Sequence, residues 1–163
     1  MLKRLMIGVT LVLTGCGAAD VPIADPGPAQ VVIVVESTGG CAQMGPNCTR
    51  LVISGDGSVE AYRFVIDGDE LVDIGSIDEE LVAELSRIIA ATDLAALRSR
   101  LPAGHCQGCF DGIDTTMTLH GGNSAEVFSS VEVELDPSEP VFAAAWAVAA
   151  AAEAAIEVPI LTW

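Results

Sequence analysis

Apolar positions along the chain change period several times, and each change predicts an element. Residues 31–35 (VVIVV) form a continuous β-branched run, which predicts a strand buried on both faces. A loop rich in Gly, Cys and Pro follows at 37–49. Residues 50–54 and 58–66 then predict two strands around Gly55-Asp56-Gly57, a hairpin signal because glycine admits the positive φ of a tight turn. Asp67-Gly68-Asp69 marks another turn, and 70–74 a further short strand.

The period then becomes helical. Leu81, Val82, Leu85, Ile88 and Ile89 fall on one face, to be packed against the sheet. Ser76-Ile77-Asp78-Glu79 reads as a capping box, with Ser76 bonding the Glu79 amide and Glu79 reaching back. A short second helical piece fits 93–101 before Pro102 stops it. Period two returns with Ile113, Thr115, Met117 and Leu119 on one side and Asp114, Thr116, Thr118 and His120 on the other. Gly121-Gly122-Asn123 turns the chain, and 125–135 predicts a long strand. Its Ala125, Val127, Ser129, Val131, Val133 and Leu135 face one way, while Glu126, Phe128, Ser130, Glu132 and Glu134 face outward. Residues 137–157 predict an Ala-rich helix capped by Asp136 or Ser138, with Pro140 tolerated in its first turn. Its uncharged run, 141–152, is too short to span a bilayer, so Phe142 and Trp146 are expected to pack on the sheet. The sum is an α+β fold: an antiparallel sheet of five or six strands with two main helices packed on it, its loops stapled by disulfides.

Residues 1–15 stand apart from this pattern. Lys3 and Arg4 precede an apolar run at 5–13. The run is shorter than the roughly 20 residues a bilayer span needs, and it has the proportions of a cleaved export signal. It ends in Leu13-Thr14-Gly15-Cys16, which resembles the lipobox of bacterial lipoproteins: a Leu, two small residues, then Cys. That resemblance implies that the Cys16 sulfur receives a diacylglycerol, that the chain is cut before it, and that the new N-terminus is acylated too. Several acyl chains anchor a protein where one alone is marginal. The other reading is an ordinary secretory signal with an incidental Cys. In lipoproteins of two-membrane bacteria an Asp after the modified Cys favours the inner membrane, so Gly17 leans toward the outer one. Residues 17–30 (GAADVPIADPGPAQ) hold three Pro and no periodicity, which predicts a flexible spacer. The expected organisation is a signal at 1–15, a lipidated Cys and tether at 16–30, and a single domain at 31–163. It would be lipid-anchored in the bacterial cell membrane or outer membrane, facing the periplasm or the exterior.

Composition narrows the partners. The chain has 163 residues, enough for one domain with a real core. Seven basic residues oppose 23 acidic ones, for a net charge of −16. Without Lys3 and Arg4 the balance is −18, and the five remaining cations are all arginine: Arg50, Arg63, Arg87, Arg98 and Arg100. Nucleic acid is excluded, because binding it needs a basic face to displace counterions. Anionic lipid headgroups repel such a surface as well. The bilayer is therefore expected as a partner only through acylated Cys16.

Four cysteines remain: Cys41, Cys48, Cys106 and Cys109. An even count in an exported chain reads as disulfides, either local (Cys41–Cys48 with Cys106–Cys109) or crossed between the two loops. Reduced or metal-bound thiols are the remaining possibility. Cys106 and Cys109 form a C-x-x-C beside His105, which raises thiol–disulfide chemistry, yet the motif leads into a strand instead of starting a helix. Haem attachment needs the opposite order, with His after the second Cys. The C-x6-C spacing is looser than ordinary zinc ribbons. Asp56 and Asp67-Gly68-Asp69-Glu70 lack the alternating ligands of a calcium loop. No nucleophile elbow, zinc-protease helix or phosphate loop occurs, and His105 and His120 are isolated. No metal or cofactor is expected.

Cys41, Cys48, Asp56-Gly57 and the capped helix together resemble uncharacterised domains of bacterial lipoproteins, a resemblance that brings no activity with it. The expected function is a non-enzymatic binding or envelope-structural module whose partner is an envelope protein or small ligand. The alternative is a thiol–disulfide or metal-handling protein built on Cys106 and Cys109. The Lys-free acidic composition fits either a salty habitat, where self-repulsion is screened, or a genome that favours arginine codons. Melting in low and in molar salt separates the two: salt adaptation requires the midpoint to rise with salt.

Overall fold

A computed structural model describes residues 30–39, 48–65, 68–110, 112–122 and 124–156. Its strands are β1 (Val31–Thr38), β2 (Thr49–Ser54), β3 (Ser58–Val65), β4 (Gly68–Ser76), β5 (Asp114–Gly121) and β6 (Ser124–Ser129). Three helices follow the same chain order: α1 (Glu79–Ala91), α2 (Leu94–Arg100) and α3 (Pro140–Ala155). The strands make one antiparallel sheet in the order β4-β3-β2-β1-β5-β6. The fold is α+β, as the changing hydrophobic period predicts. The expected signal, Cys16 and the expected tether up to residue 29 lie outside the described residues, as does Cys41.

Strand alternation places Ile33, Val35, Leu51, Ile53, Val59, Ala61, Met117, Leu119 and Phe128 on one face, each fully buried. All three helices lie against that face. α1 presents Val82, Leu85 and Ile89, with Leu81 and Ile88 at the margin, as its helical spacing requires. α3 packs through Val141, Phe142, Ala145, Val148, Ala149 and Ala152. Its small side chains let the helix come close to the sheet, and Gly75 of β4 answers from the other side. A Cβ at Gly75 would sit 2.8 Å from the Ala155 carbonyl oxygen. All of this core falls between residues 32 and 156.

Four sequence expectations are corrected. The VVIVV run is not buried throughout: Ile33 and Val35 are fully buried, Val32 is buried where the register shifts between Val31 and Ile33, and Val31 and Val34 are only partly buried. The helix cap is Asp78, not Ser76. Ser76 still pairs with Ser58 in the β3–β4 ladder, and Ile77 N–H donates to Gly57 O at 2.9 Å, so the helix starts later. There the Asp78 carboxylate accepts from Glu80 N–H at 2.9 Å. α3 begins at Pro140 after Glu139, which makes no side-chain cap bond. Asp136 instead accepts from Ser138 N–H at 2.8 Å, and this bond lowers its carboxyl pKa below the ordinary value.

The fourth correction concerns the long strand expected at 125–135. β6 ends at Ser129, and a turn follows in which Glu132 N–H and Val133 N–H both donate to Ser129 O at 2.9 Å. The turn resets the alternation, so Val133 and Leu135 are buried while Val127 and Val131 are exposed. Within β6 the inward residue is Phe128. It meets the Phe142 ring edge-on at 5.2 Å, and the Arg98 guanidinium of α2 covers it at 4.7 Å. Arg98 also donates to Val127 O and reaches Glu126 at 3.6 Å and Glu132 at 3.4 Å, tying α2 to the sheet edge.

These assignments are testable by a pair of truncations. Phe128→Ala opens a core void and should cost about 3–5 kcal/mol in denaturant unfolding. Val127→Ala, on the solvent side, should cost less than about 1 kcal/mol. The outward placement of Phe128 would require the opposite order.

Candidate functional site

Sheet register brings Cys48, before β2, and the loop before β5 to one end of the sheet. Past Pro102 the chain runs beside the 130–134 segment, with Ala103 bridging Val133 and His105 N–H donating to Ser130 O at 2.8 Å. The approach depends on Gly104, where a Cβ would run into the Ser130 carbonyl and lie 2.6 Å from Val133 N. A 3-10 turn at Gly108–Phe110 follows. Cys106, just before it, and Cys109, within it, are disulfide-bonded, with Cα atoms 5.4 Å apart. This pairing rules out both crossed connectivities. Cys48 is disulfide-bonded as well.

Asp114, the first residue of β5, organises the loop. Its carboxylate accepts from Gln107 N–H at 2.7 Å and Gly108 N–H at 3.2 Å. Phe110 N–H and Gly112 N–H both donate to Gln107 O at 2.9 Å. Gly39 leaves the end of β1 at φ 123° and packs against this loop, where a Cβ would lie 3.2 Å from Gly108 Cα. The result is a braced loop presenting the Phe110 ring, 78% exposed, near-parallel to the His105 ring at 6.1 Å.

The same contacts bear on thiol chemistry. Cys109 is exposed and Cys106 half-buried, so an external thiolate reaches the Cys109 sulfur more easily and releases Cys106. Cys106 Sγ lies 3.7 Å from Asp114 Oδ2, while Cys109 N–H donates to it at 3.1 Å. The amide favours a thiolate and the carboxylate opposes it. A full charge at that distance outweighs one neutral hydrogen bond. Cys106 is therefore a poor leaving group.

The other candidates separate. His120 lies on β5 opposite Ala125 and lines a cavity of about 400 Å³ at the other end of the sheet, with Gln30, Asp56, Glu79 and Ser86. Asp56 is a turn residue: Ser58 N–H donates to it at 3.0 Å and lowers its pKa. Asp67 lies outside the described residues, and Asp69 is ion-paired to Arg50. Glu126, Glu132 and Glu134 do not form one strand face. The first two turn to Arg98, and Glu134 is exposed beyond the strand. Among the described residues no group of three or more His, Cys, Asp or Glu is placed to hold a metal ion.

Sequence reasoning missed a network on the helix-free face. Glu36, Arg50 and Tyr62 stand side by side on β1, β2 and β3. Arg50 reaches Glu36 at 4.0 Å, pairs with Asp69 and lies 4.9 Å over the Tyr62 ring. Tyr62 donates its hydroxyl to Glu60 at 2.6 Å, a bond to the carboxylate that raises its pKa above the ordinary phenol value. Only the cross-strand register, which sequence does not show, brings these groups together.

Compared with known proteins, the sequence matches no family model and no curated protein.

The loop geometry predicts a structural disulfide. Its closed loop is short, so Cys106→Ser with Cys109→Ser should lower unfolding free energy by no more than about 2 kcal/mol. Far-UV circular dichroism of the folded double variant should match the parent. A loss of the fold would show that the loop nucleates the sheet.

Proposed function

We propose that this chain is an exported bacterial lipoprotein, anchored through acylated Cys16, whose domain is a non-enzymatic binding or envelope-structural module. The observation that carries the reading is the ordered run of Lys3-Arg4, apolar 5–13 and Leu13-Thr14-Gly15-Cys16. The Cys106–Cys109 disulfide supports it, since such bonds persist in oxidising compartments. Among the described residues the core begins at Val32, downstream of the expected tether. No described helix is long and apolar enough to cross a membrane, so acylation would supply the attachment.

The thiol–disulfide reading is second, favoured by the exposure of residue Cys109 and opposed by Asp114 beside Cys106. The two differ in free-thiol chemistry. A structural disulfide leaves Cys106 and Cys109 unreactive to alkylation until a strong reductant is added. An exchanging pair equilibrates with glutathione and becomes alkylated.

Anchoring is tested by growing cells with an alkyne analogue of palmitate. The chain should take up label and sediment with membranes, and Cys16→Ser should abolish the label. An unlabelled parent chain, or label that survives Cys16→Ser, would overturn the lipoprotein assignment.

A further inference from the structure

The face of the sheet opposite the helices carries side chains the fold itself does not use. Cross-strand register places Ile74, Glu60, Val52, Val34, Thr118 and Val127 in one row from β4 to β6. At the usual strand spacing it is roughly 24 Å long. Ile74 is 65% and Val127 47% exposed, and Leu71 in the next row is 47% exposed. A sheet with one wet face ordinarily alternates apolar inside with polar outside. Here Val34 and Val52, on the two central strands, break that rule. The VVIVV run is the pattern of a strand covered on both sides, yet the helices cover one.

The charges around this row identify what fits. Glu60 lies within it and Glu36 beside it, while Arg50, the arginine of that neighbouring row, is already engaged by Glu36 and Asp69. Among the described residues of this stretch Glu36, Asp69 and Glu60, the last bonded to the Tyr62 hydroxyl, outnumber Arg50, so the face offers aliphatic side chains beside a net negative charge. We propose that it docks a cationic amphipathic segment of a partner protein, with apolar side chains on the Val34–Val52 row and Lys or Arg against the flanking carboxylates. A second copy is disfavoured because it brings the same carboxylates and another −18 of charge. An anionic bilayer surface is disfavoured for the same reason. The inference deepens the binding-module reading and rests on it, but it does not depend on Cys16.

The test uses the chain from Gly17 to Trp163, which holds the entire described core, exported behind a cleavable signal. The probe is a blocked ten-residue peptide alternating Lys and Val, titrated near 150 mM salt while backbone amide shifts are followed. Two control peptides replace Lys by Glu or Val by Ser. Shifts should concentrate at Val34, Val52, Thr118 and Val127, and neither control should bind. Val34→Thr with Val52→Thr keeps shape and strand propensity and should weaken binding by about tenfold. Shifts spread over the acidic surface and indifferent to that double variant would mean mere counterion binding. Self-association lost in the double variant would assign the face to a second copy. Binding only after removal of residues 157–163 would mean that the chain covers the face itself. Each of these three overturns the proposal. Because the titration reads residues 34 and 52 and palmitate labelling reads Cys16, either can fail without the other.

Discussion

A four-stranded β-meander, β1 to β4, and the β5–β6 hairpin are joined into one sheet by a single ladder, β1 on β5. Every other pairing is between strands adjacent in sequence, whereas this one runs from Ile33↔Leu119 to Thr38↔Asp114 across the α1 and α2 segment. Its inward residues, Ile33, Val35, Met117 and Leu119, are completely buried under the helices. The ladder can form only after some 80 residues of chain have closed into a loop, so local hairpins cannot supply it. It also connects core to surface, because its last pair contains Asp114, the residue that braces the disulfide loop. A weakened β1–β5 ladder would therefore loosen that loop without touching a cysteine.

The parts of the fold that were legible in sequence are those where period and burial agree. Val82, Leu85 and Ile89 announced the buried face of α1, and Thr115, Met117 and Leu119 that of β5. Phe128 was misplaced for a definable reason. Counting alternation from Ala125 to Leu135 gathers five apolar side chains on one parity and leaves Phe128 on the other. The turn after Ser129 splits that count into two pieces with different facing. No turn signal marks it, since Ser130-Val131-Glu132 contains neither Gly nor Pro. The cap shifted from Ser76 to Asp78 because a ladder bond to Gly57 held the chain extended two residues longer, a long-range effect overriding a local motif.

The site was less legible than the fold. Cysteine spacing alone left local and crossed pairings open, and the deciding contacts belong to Asp114, which reads in sequence as an ordinary outward position of an alternating strand. Its carboxylate accepts from the Gln107 and Gly108 amides, the two residues between Cys106 and Cys109. The same carboxylate lies 3.7 Å from the Cys106 sulfur. One residue thus orders the loop and makes Cys106 a poor leaving group, which is why a C-x-x-C motif here reads as a brace.

The asymmetry of the sheet follows from how the described chain is divided. Six strands form a surface roughly 24 Å across, and α1 and α3, about 10 Å wide each, are enough to cover one side of it. α2 is used at the edge, where Arg98 shields Phe128. Among the described residues no further helix exists to form a second layer. A strand such as β1, apolar on both faces, gains from its second face only if something outside this layer covers it. Solvation of the neighbouring carboxylates opposes leaving that row bare in a self-associating protein, since identical copies would have to bring like charges together. Under the proposed docking, charge disfavours pairing of that row with its own copies and favours a partner of opposite charge. Aliphatic side chains on the central strands of an acidic sheet are consistent with that selectivity.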